Sequence, residues 1–449
     1  MHKQARKPSG DTIVMGMGKT GIACVNFLVK NHISVRVMDD RPTPPGLTRL
    51  KQTFPEIPYI TGRFDAAQLA QAAEIIISPG ISPRQVPAIA ADVPIISEIE
   101  LFARHVNAPV VAITGSNGKS TVTTLLGEMA KQAGWRAQVG GNLGTPAIDL
   151  LCTPAPDLYI LELSSFQLES TYSLNPKAAV VLNISEDHMD RYANLAEYML
   201  TKQRIYQGDG TVIINADEPA VVAMLPPHRQ YLSFSLRNNR GDFRICQYQG
   251  EAYFVRTHNN SFIPLLPVNK MRLKGHTMRA NALAALALGE AAGLNQSAML
   301  DALRNFRGLP HRCAWVANSQ GVDWYNDSKG TNVGATIAAI QGLEKPGQII
   351  LIAGGEGKGA NFLALAEIVA QHCRACVLIG QDAYQIAESL ADSVPVSRAQ
   401  SMKEAVAQAA ELASTGDAVL LSPACASFDM FKNYEHRGQV FEAAVRQLV

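Results

Sequence analysis

Short apolar runs alternate with amphipathic stretches along most of the chain, the pattern expected when strands and helices take turns. Residues 12–15, 34–38 and 74–78 read as strands, with residues 18–30 helical between the first two. Residues 110–113, 157–163 and 178–184 are again apolar and strand-like, and 195–206 is helical. Residues 231–268 alternate around Asn/Gly turns, which predicts a small antiparallel excursion, and the Ala/Leu-rich stretch 276–292 predicts a helix. A hairpin around Ser319-Gln-Gly321 opens a third alternation, with strands at 349–353, 375–379 and 418–421. No repeat of fixed period is apparent. At 449 residues, and about 150 residues per domain, the chain divides into roughly three α/β units. The turns place the boundaries at 1–98, 99–308 and 309–449.

The joints between strands and helices carry the candidate chemistry. Thr114-Gly-Ser-Asn-Gly-Lys-Ser-Thr121 follows an apolar strand and opens a helix. Its glycines let backbone N–H groups approach phosphate oxygens, the helix N-terminus adds donors and a positive dipole end, Lys119 adds a point charge, and Ser120 offers a hydroxyl to Mg²⁺. The full P-loop pattern has a glycine five residues before Gly118. Ile113 stands there, so the loop is a shortened variant. Gly16-Met-Gly18-Lys-Thr-Gly21 occupies the same kind of joint in the first unit, with Asp39 and Asp40 ending the next strand. This matches a dinucleotide fingerprint and makes an NAD-dependent oxidoreductase the rival reading, although a sugar nucleotide supplies the same diphosphate and ribose groups.

Glu162 and His188 end the two strands after the P-loop, where α/β sheets place ligands. Together they favour metal or water positioning over two solvated turn residues. On pattern alone Lys202, Lys329 and Lys358 read as solvated lysines, and Asp327 as a cap for the helix starting near Asn332.

Charge and cysteine content narrow the partners. Lys+Arg is 40 and Asp+Glu 39, so no basic field invites nucleic acid, and small-molecule partners are expected. No uncharged apolar run is long enough for a membrane span, and the basic, polar start lacks a signal-peptide core. Seven scattered cysteines suggest reduced thiols and a cytoplasmic location. Cys373-Arg-Ala-Cys376 has redox or metal spacing but no second pair, so it reads as two buried thiols.

The P-loop run, Glu162-Leu-Ser-Ser-Phe-Gln-Leu, Asn183-Ile-Ser-Glu-Asp-His-Met-Asp-Arg191, Asn281-Ala-Leu-Ala-Ala, Gly308-Leu-Pro-His-Arg312, Asn326-Asp-Ser-Lys329 and Leu421-Ser-Pro-Ala-Cys-Ala-Ser427 together resemble the Mur ligases over essentially the whole chain. Gly16-Met-Gly-Lys-Thr-Gly21, Ser78-Pro-Gly-Ile81 and Phe431-Lys-Asn-Tyr434 are similar to the members that add D-glutamate.

The resemblance implies three domains: a Rossmann-like domain holding UDP, a central P-loop ATPase domain with a mostly parallel sheet, and a C-terminal dinucleotide-fold domain. It implies ATP-dependent joining of D-glutamate to UDP-N-acetylmuramoyl-L-alanine through an acyl phosphate, in the bacterial cytoplasm, by a monomer. Gly115, Ser116, Asn117, Gly118, Lys119, Ser120 and Thr121 would hold ATP, together with Asn281, Arg312 and Asp327. Ser120, Glu162, His188 and a carbamylated Lys202 would bind two Mg²⁺. Gly18, Lys19, Thr20, Asp39, Asp40, Arg41, Ser78, Gly80, Asn142 and His188 would hold the UDP substrate, and Thr331, Lys358, Ser427, Phe428 and Tyr434 D-glutamate. Ser116 stands where a threonine is commoner, and Tyr434 where phenylalanine is expected.

Overall fold

The computed structural model describes residues 10–448 except 88–91, 238–240, 259–260, 274, 344, 346 and 392. Three sheets, each with its own switch in strand order, make up the fold, and the second and third present strand ends to one cavity. The first contains β1 (Thr12–Met15), β2 (Val35–Asp39), β3 (Tyr59–Thr61), β4 (Glu74–Ile77) and β5 (Ile95–Ser97), all parallel in the order β3-β2-β1-β4-β5. The order reverses between β1 and β4, so the Gly16 turn and Ser78 flank the crevice where doubly wound sheets bind ligands.

The second sheet contains β6 (Val110–Thr114), β7 (Ala137–Gly141), β8 (Leu158–Glu162), β9 (Ala178–Val181), β10 (Thr211–Asn215), β11 (Tyr231–Ser235), β12 (Phe243–Tyr248), β13 (Glu251–His258) and β14 (Ser261–Pro267). Its order is β14-β13-β12-β11-β10-β9-β6-β8-β7, so the P-loop strand β6 lies between β8, which ends in Glu162, and β9, which leads to His188. The expected antiparallel excursion is corrected in part. β11 pairs parallel with β10, β12 pairs parallel with β11, and only β12-β13-β14 run antiparallel. Gly140 and Gly141 end β7.

The third sheet contains β15 (Ala314–Ser319), β16 (Val322–Asn326), β17 (Ile349–Gly354), β18 (Cys373–Ile379), β19 (Val396–Arg398) and β20 (Ala418–Leu421). The β15–β16 hairpin is antiparallel, the other pairs are parallel, and the order is β15-β16-β20-β17-β18-β19. Cys373 and Cys376 are buried free thiols at its helix-to-strand joint.

The domains are joined in two different ways. Val14, Ile22 and Leu28 of the first domain share one apolar core with Ile99 and Phe102 of the helix Glu98–Ala103 and with Ala112, Tyr159 and Leu161 of the central sheet. The C-terminal domain keeps its cores to itself and meets the central domain through polar side chains. Arg312 donates to Ser120 Oγ at 2.6 Å, and Asn332 Nδ2 to Asp187 Oδ2 at 3.1 Å.

The helix His276–Ala292 is buried nearly all round, consistent with its Ala/Leu composition, and stops at Gly293, whose φ of 93° is the left-handed conformation that a helix terminator needs. The last helix, Tyr434–Arg446, buries Arg437, which donates to the carbonyls of Ser328, Cys425 and Ala426 and to Ser328 Oγ, at 2.8–3.1 Å. Among the described residues no helix is long and apolar enough to cross a membrane.

Candidate active site

A cavity of about 450 Å³ lies where the second and third sheets present their strand ends. Its walls include Ser116, Asn117, Gly118 and Lys119 of the P-loop, Glu162 and His188 at the ends of two strands, and Lys202 from the helix Leu195–Gln203. The C-terminal domain contributes Arg312, Thr331, Lys358, Ser427, Phe428 and Tyr434. The sequence therefore named groups that the fold brings together from two domains.

The P-loop is held by its own backbone demands. Gly118 sits at φ 84°, and a Cβ there would lie 2.6 Å from Asn281 Oδ1, so only glycine fits. Lys119 Nζ donates to the Gly115 and Ser116 carbonyls at 2.8 and 2.9 Å, which folds the cation into the mouth of the loop. Burial lowers its pKa, against the nearby Glu162 and Asp187 carboxylates. Ser116 Oγ accepts from Ser185 N at 2.9 Å, so the serine in the threonine position ties the loop to the segment leading to His188.

Lys202 is corrected from surface lysine to one of the most buried side chains, 2% exposed. Its Nζ donates to the Gly115 carbonyl at 3.0 Å and lies 4.6 Å from the Tyr198 ring centroid. Burial, followed by the Lys119 charge, holds its pKa well below the usual lysine value. An amine that resists protonation is the form that adds CO₂.

Glu162 is likewise buried, not a solvated strand end. Its Oε1 accepts from Asn142 Nδ2 at 2.6 Å, while buried Oε2 has no hydrogen-bond partner. An orphaned carboxylate oxygen facing a polar cavity suits a hard cation. No cluster of three His, Cys, Asp or Glu among the described residues forms a metal cage, so a cation held at Glu162 would draw its other oxygens from phosphate and the Ser120 hydroxyl. This agrees with Mg²⁺ being held by one or two carboxylates plus substrate phosphates. The Ser120 hydroxyl already accepts from Arg312, which leaves it one lone pair. His188 takes φ 59° at its turn and packs 4.6 Å from the Phe166 ring, and burial lowers its pKa against the pull of Asp187.

Three further corrections concern the C-terminal loops. Lys358 and Lys329 line the cavity, and Lys329 Nζ stands 3.9 Å from the Tyr434 ring centroid. Burial, helped by Arg312, brings the Lys329 pKa down to about 8. The helix beginning at Val333 is capped by Asn332, which accepts from Ala335 N, while Asp327 accepts from Ser422 Oγ at 2.7 Å and Cys313 N at 3.1 Å. Burial pushes the Asp327 carboxyl up to about 7. Asp187, Ser164 and Asn433, which lie within the runs that carry the resemblance, and Tyr198, on a helix of ordinary pattern, line the cavity without having been given a role. Asn281 and Asp327 flank this cavity and do not line it.

The first-domain residues form a separate cluster. Asp39 is buried and both its oxygens are spent: Oδ2 accepts from Met17 N at 2.7 Å, and Arg41 donates to both oxygens. Burial raises its pKa, but these hydrogen bonds outweigh it and leave the carboxyl below its ordinary value. Asp39 therefore braces the glycine turn, and Asp40 is the exposed acid beside it. Gly18 takes an ordinary φ of −88° with open space where a Cβ would stand, whereas a Cβ on Gly21 would be 1.8 Å from the Gly16 carbonyl oxygen. Ser78 Oγ donates weakly to Gly16 O at 3.4 Å, and Lys19 donates to the Gly144 carbonyl of the loop that carries Asn142.

Comparison with known proteins agrees with this layout. Residues 10–97 match the model of the Mur ligase MurD-like N-terminal domain, 113–289 the Mur ligase middle domain and 311–425 the Mur ligase glutamate ligase domain. The UDP-N-acetylmuramoylalanine–D-glutamate ligase of Nitrosococcus oceani is 53% identical over 98% of this chain and 97% of its own. The ligases of the same name from Pseudomonas aeruginosa and Coxiella burnetii are 50% and 48% identical, over 97% of this chain and 98% and 99% of theirs. Among solved structures, a pseudomurein peptide ligase type C from Methanothermus fervidus aligns with a TM-score of 0.64 at 17% identity, covering 98% of this chain and 100% of its own. A Thermotoga maritima MurF ligase in complex with ADP aligns with 0.62 at 17% identity, over 99% and 97%. The chain belongs to the Mur ligases.

Proposed function

We propose that the protein is an ATP-dependent ligase that forms an amide bond between D-glutamate and UDP-N-acetylmuramoyl-L-alanine, giving ADP and phosphate, as a cytoplasmic step of bacterial peptidoglycan precursor synthesis. The observation that carries this reading is the single cavity shared by the P-loop, Glu162, His188 and the C-terminal set Thr331, Lys358, Ser427 and Phe428. Phosphoryl donor, carboxylate and incoming amine all need to meet in such a space.

The alanyl carboxylate takes the γ-phosphoryl group from ATP. A carboxylate is a poor acylating agent, and phosphorylation provides the leaving group that the amine of D-glutamate then displaces. Lys119 and the amides of residues 116–120 hold the β- and γ-phosphates and offset charge on the transferring group. Ser120, Glu162, His188 and a carbamylated Lys202 would hold two Mg²⁺. Bound there, the ions would neutralise charge developing on the phosphoryl oxygens. Arg312, which donates to Ser120 Oγ, would contact the nucleotide, with Asn281 and Asp327 on the nucleotide side. Lys358, with Thr331, Ser427, Phe428 and Tyr434, receives the D-glutamate side chain, where a cation matches a carboxylate. Asn142 positions the muramoyl arm. The UDP end sits on the turn holding Gly18, Lys19 and Thr20, with Asp40, Arg41, Ser78 and Gly80 around it and Asp39 bracing the turn from beneath.

Phosphate release measured with ATP, the muramoyl nucleotide and D-glutamate tests the reading. Release should require all three substrates and yield the D-glutamyl adduct. Equal release without the muramoyl nucleotide overturns it, and tight NAD(H) binding that competes with that nucleotide reopens the oxidoreductase alternative.

A further inference from the structure

We propose that Arg191 is a positioning residue, a strut that fixes the sugar-nucleotide loop of the first domain at a set span from the His188 turn of the central domain. This rests on the reading that UDP binds at the Gly16–Gly21 turn and Ser78–Ile81, and that the acyl end reaches His188.

The guanidinium of Arg191 grips two partners at once. Nη1 donates to the Pro79 carbonyl at 2.8 Å and Nη2 to the Ile81 carbonyl at 3.2 Å, both in the first-domain loop after β4. Nε donates to Glu169 Oε1 at 3.0 Å and Nη2 to Glu169 Oε2, the bidentate geometry that fixes a guanidinium in plane. Tyr192 OH donates to the same Oε1 at 2.6 Å, and the Phe166 ring centroid lies 4.1 Å beneath the guanidinium carbon.

The same residue closes the catalytic turn. Arg191 N donates to the His188 carbonyl at 2.9 Å, and Phe166 packs against the His188 ring on its other contact. On the first-domain side Ile81 N donates to Ser78 O at 2.9 Å, and Ser78 reaches the Gly16 carbonyl, so the grip extends to the glycine turn. Arg191 and Glu169 have side chains only 11% and 13% exposed, so solvent competes weakly for these bonds. A charged pair satisfied this fully, yet spending two donors on another domain's backbone, serves registration between domains. A substrate anchored at one end by UDP and reacting at the other depends on that span, since small misplacement of reacting groups is expensive in rate.

The test uses the full chain carrying Arg191→Ala, with Arg191→Lys as a milder variant. Wild-type turnover is measured first, so that failure of the functional reading shows in the wild type alone. The expected result is a fall of about tenfold to a hundredfold in kcat/KM for the muramoyl nucleotide, while the KM for ATP and the inhibition constant of plain UDP stay within about twofold. Arg191→Lys should recover part of the loss, because it can donate to one carbonyl. Independently of substrate, amide hydrogen exchange at residues 80–82 and 186–188 should quicken in Arg191→Ala. Three results overturn the strut: kcat/KM unchanged, losses equal for ATP and the muramoyl nucleotide, or UDP weakened as much as the full substrate. Unchanged exchange in both segments overturns it as well, even if turnover cannot be measured.

Discussion

Two turns in this molecule obey the same local grammar and come out chemically different. Each follows a buried parallel strand, contains glycine at the bend and opens a helix of at least twelve residues. In the first domain the lysine after the turn, Lys19, reaches outward to the Gly144 carbonyl, and a buried carboxylate, Asp39, accepts from the turn's backbone. In the central domain Lys119 folds inward onto the Gly115 and Ser116 carbonyls, and a second buried amine, Lys202, donates to Gly115 as well. The first turn is a passive cradle whose internal charge is negative and already neutralised by Arg41. The second turns one cation, Lys119, inward to where a phosphoryl group would transfer, and sets beside it an amine, Lys202, that burial keeps from protonating. A glycine-rich turn thus reports phosphate binding, and the charge behind it reports whether the phosphate reacts.

Exchanging those charges tests the contrast most strongly. Lys119→Ala should lower kcat by about a hundredfold or more, because electrostatic stabilisation of the transferring group is usually a large term. Lys19→Ala should act mainly on the KM for the sugar nucleotide, by about tenfold or less. Steady-state kinetics separates the two, and comparable kcat losses would show that the two turns do the same work. Lys202→Ala should also be nearly inactive, and a short carboxylate such as acetate should restore part of the rate by supplying oxygens in the vacated space. Lys202→Arg should not respond, since its guanidinium fills the space and places a fixed positive charge where the carbamate would be negative. Full activity in Lys202→Arg would remove the carbamate from the account.

Smaller effects come from the backbone. Gly118→Ala must force a left-handed φ and push Asn281, which should lower stability by about 1–3 kcal/mol and impair ATP use. Gly18→Ala meets no atom within 4 Å in the protein, so thermal denaturation should match the wild type, and a change in sugar-nucleotide KM alone would report ligand contact. The mildest test is acid. The Asp39 carboxyl is held below its ordinary value of 3.8, so its stabilising contribution is present above about pH 4 and is lost as pH falls through the folded-state pKa. Asp39→Asn should cost about 1–3 kcal/mol at neutral pH, and the gap from the wild type should narrow on acidification.

The sequence made the strand-to-helix joints legible because glycine at a bend and apolar residues in a strand are local requirements. The helix His276–Ala292 was visible for the same reason, its composition being apolar on every face. Burial of an isolated charge was not visible. Lys202 sits on a short helix with polar neighbours, and only the fold shows the P-loop and Tyr198 closing over it. Lys329 follows a strand in a polar run, and its place over Tyr434 depends on a helix more than a hundred residues later. Asp39 was read as one of the groups around the UDP substrate, and the bonds it accepts from Met17 and Arg41 were not visible because they depend on a turn whose path the sequence does not reveal. The parallel pairing of β11 and β12 was missed because Asn/Gly turns between short strands look the same whether the next strand folds back or crosses over.

Arg437 spends its guanidinium on main-chain carbonyls of Ser328, Cys425 and Ala426. The route of the two loops that bear Lys329 and Ser427 is therefore written largely in backbone atoms, which every residue type shares, with the Ser328 hydroxyl as one side-chain tie. Under the proposed reading, single replacements at Ser427 or Phe428 should shift amino-acid preference, while the loops themselves are held jointly by Arg437 and by main-chain bonds such as Ala424 N to Gly330 O and Ala426 N to Glu356 O.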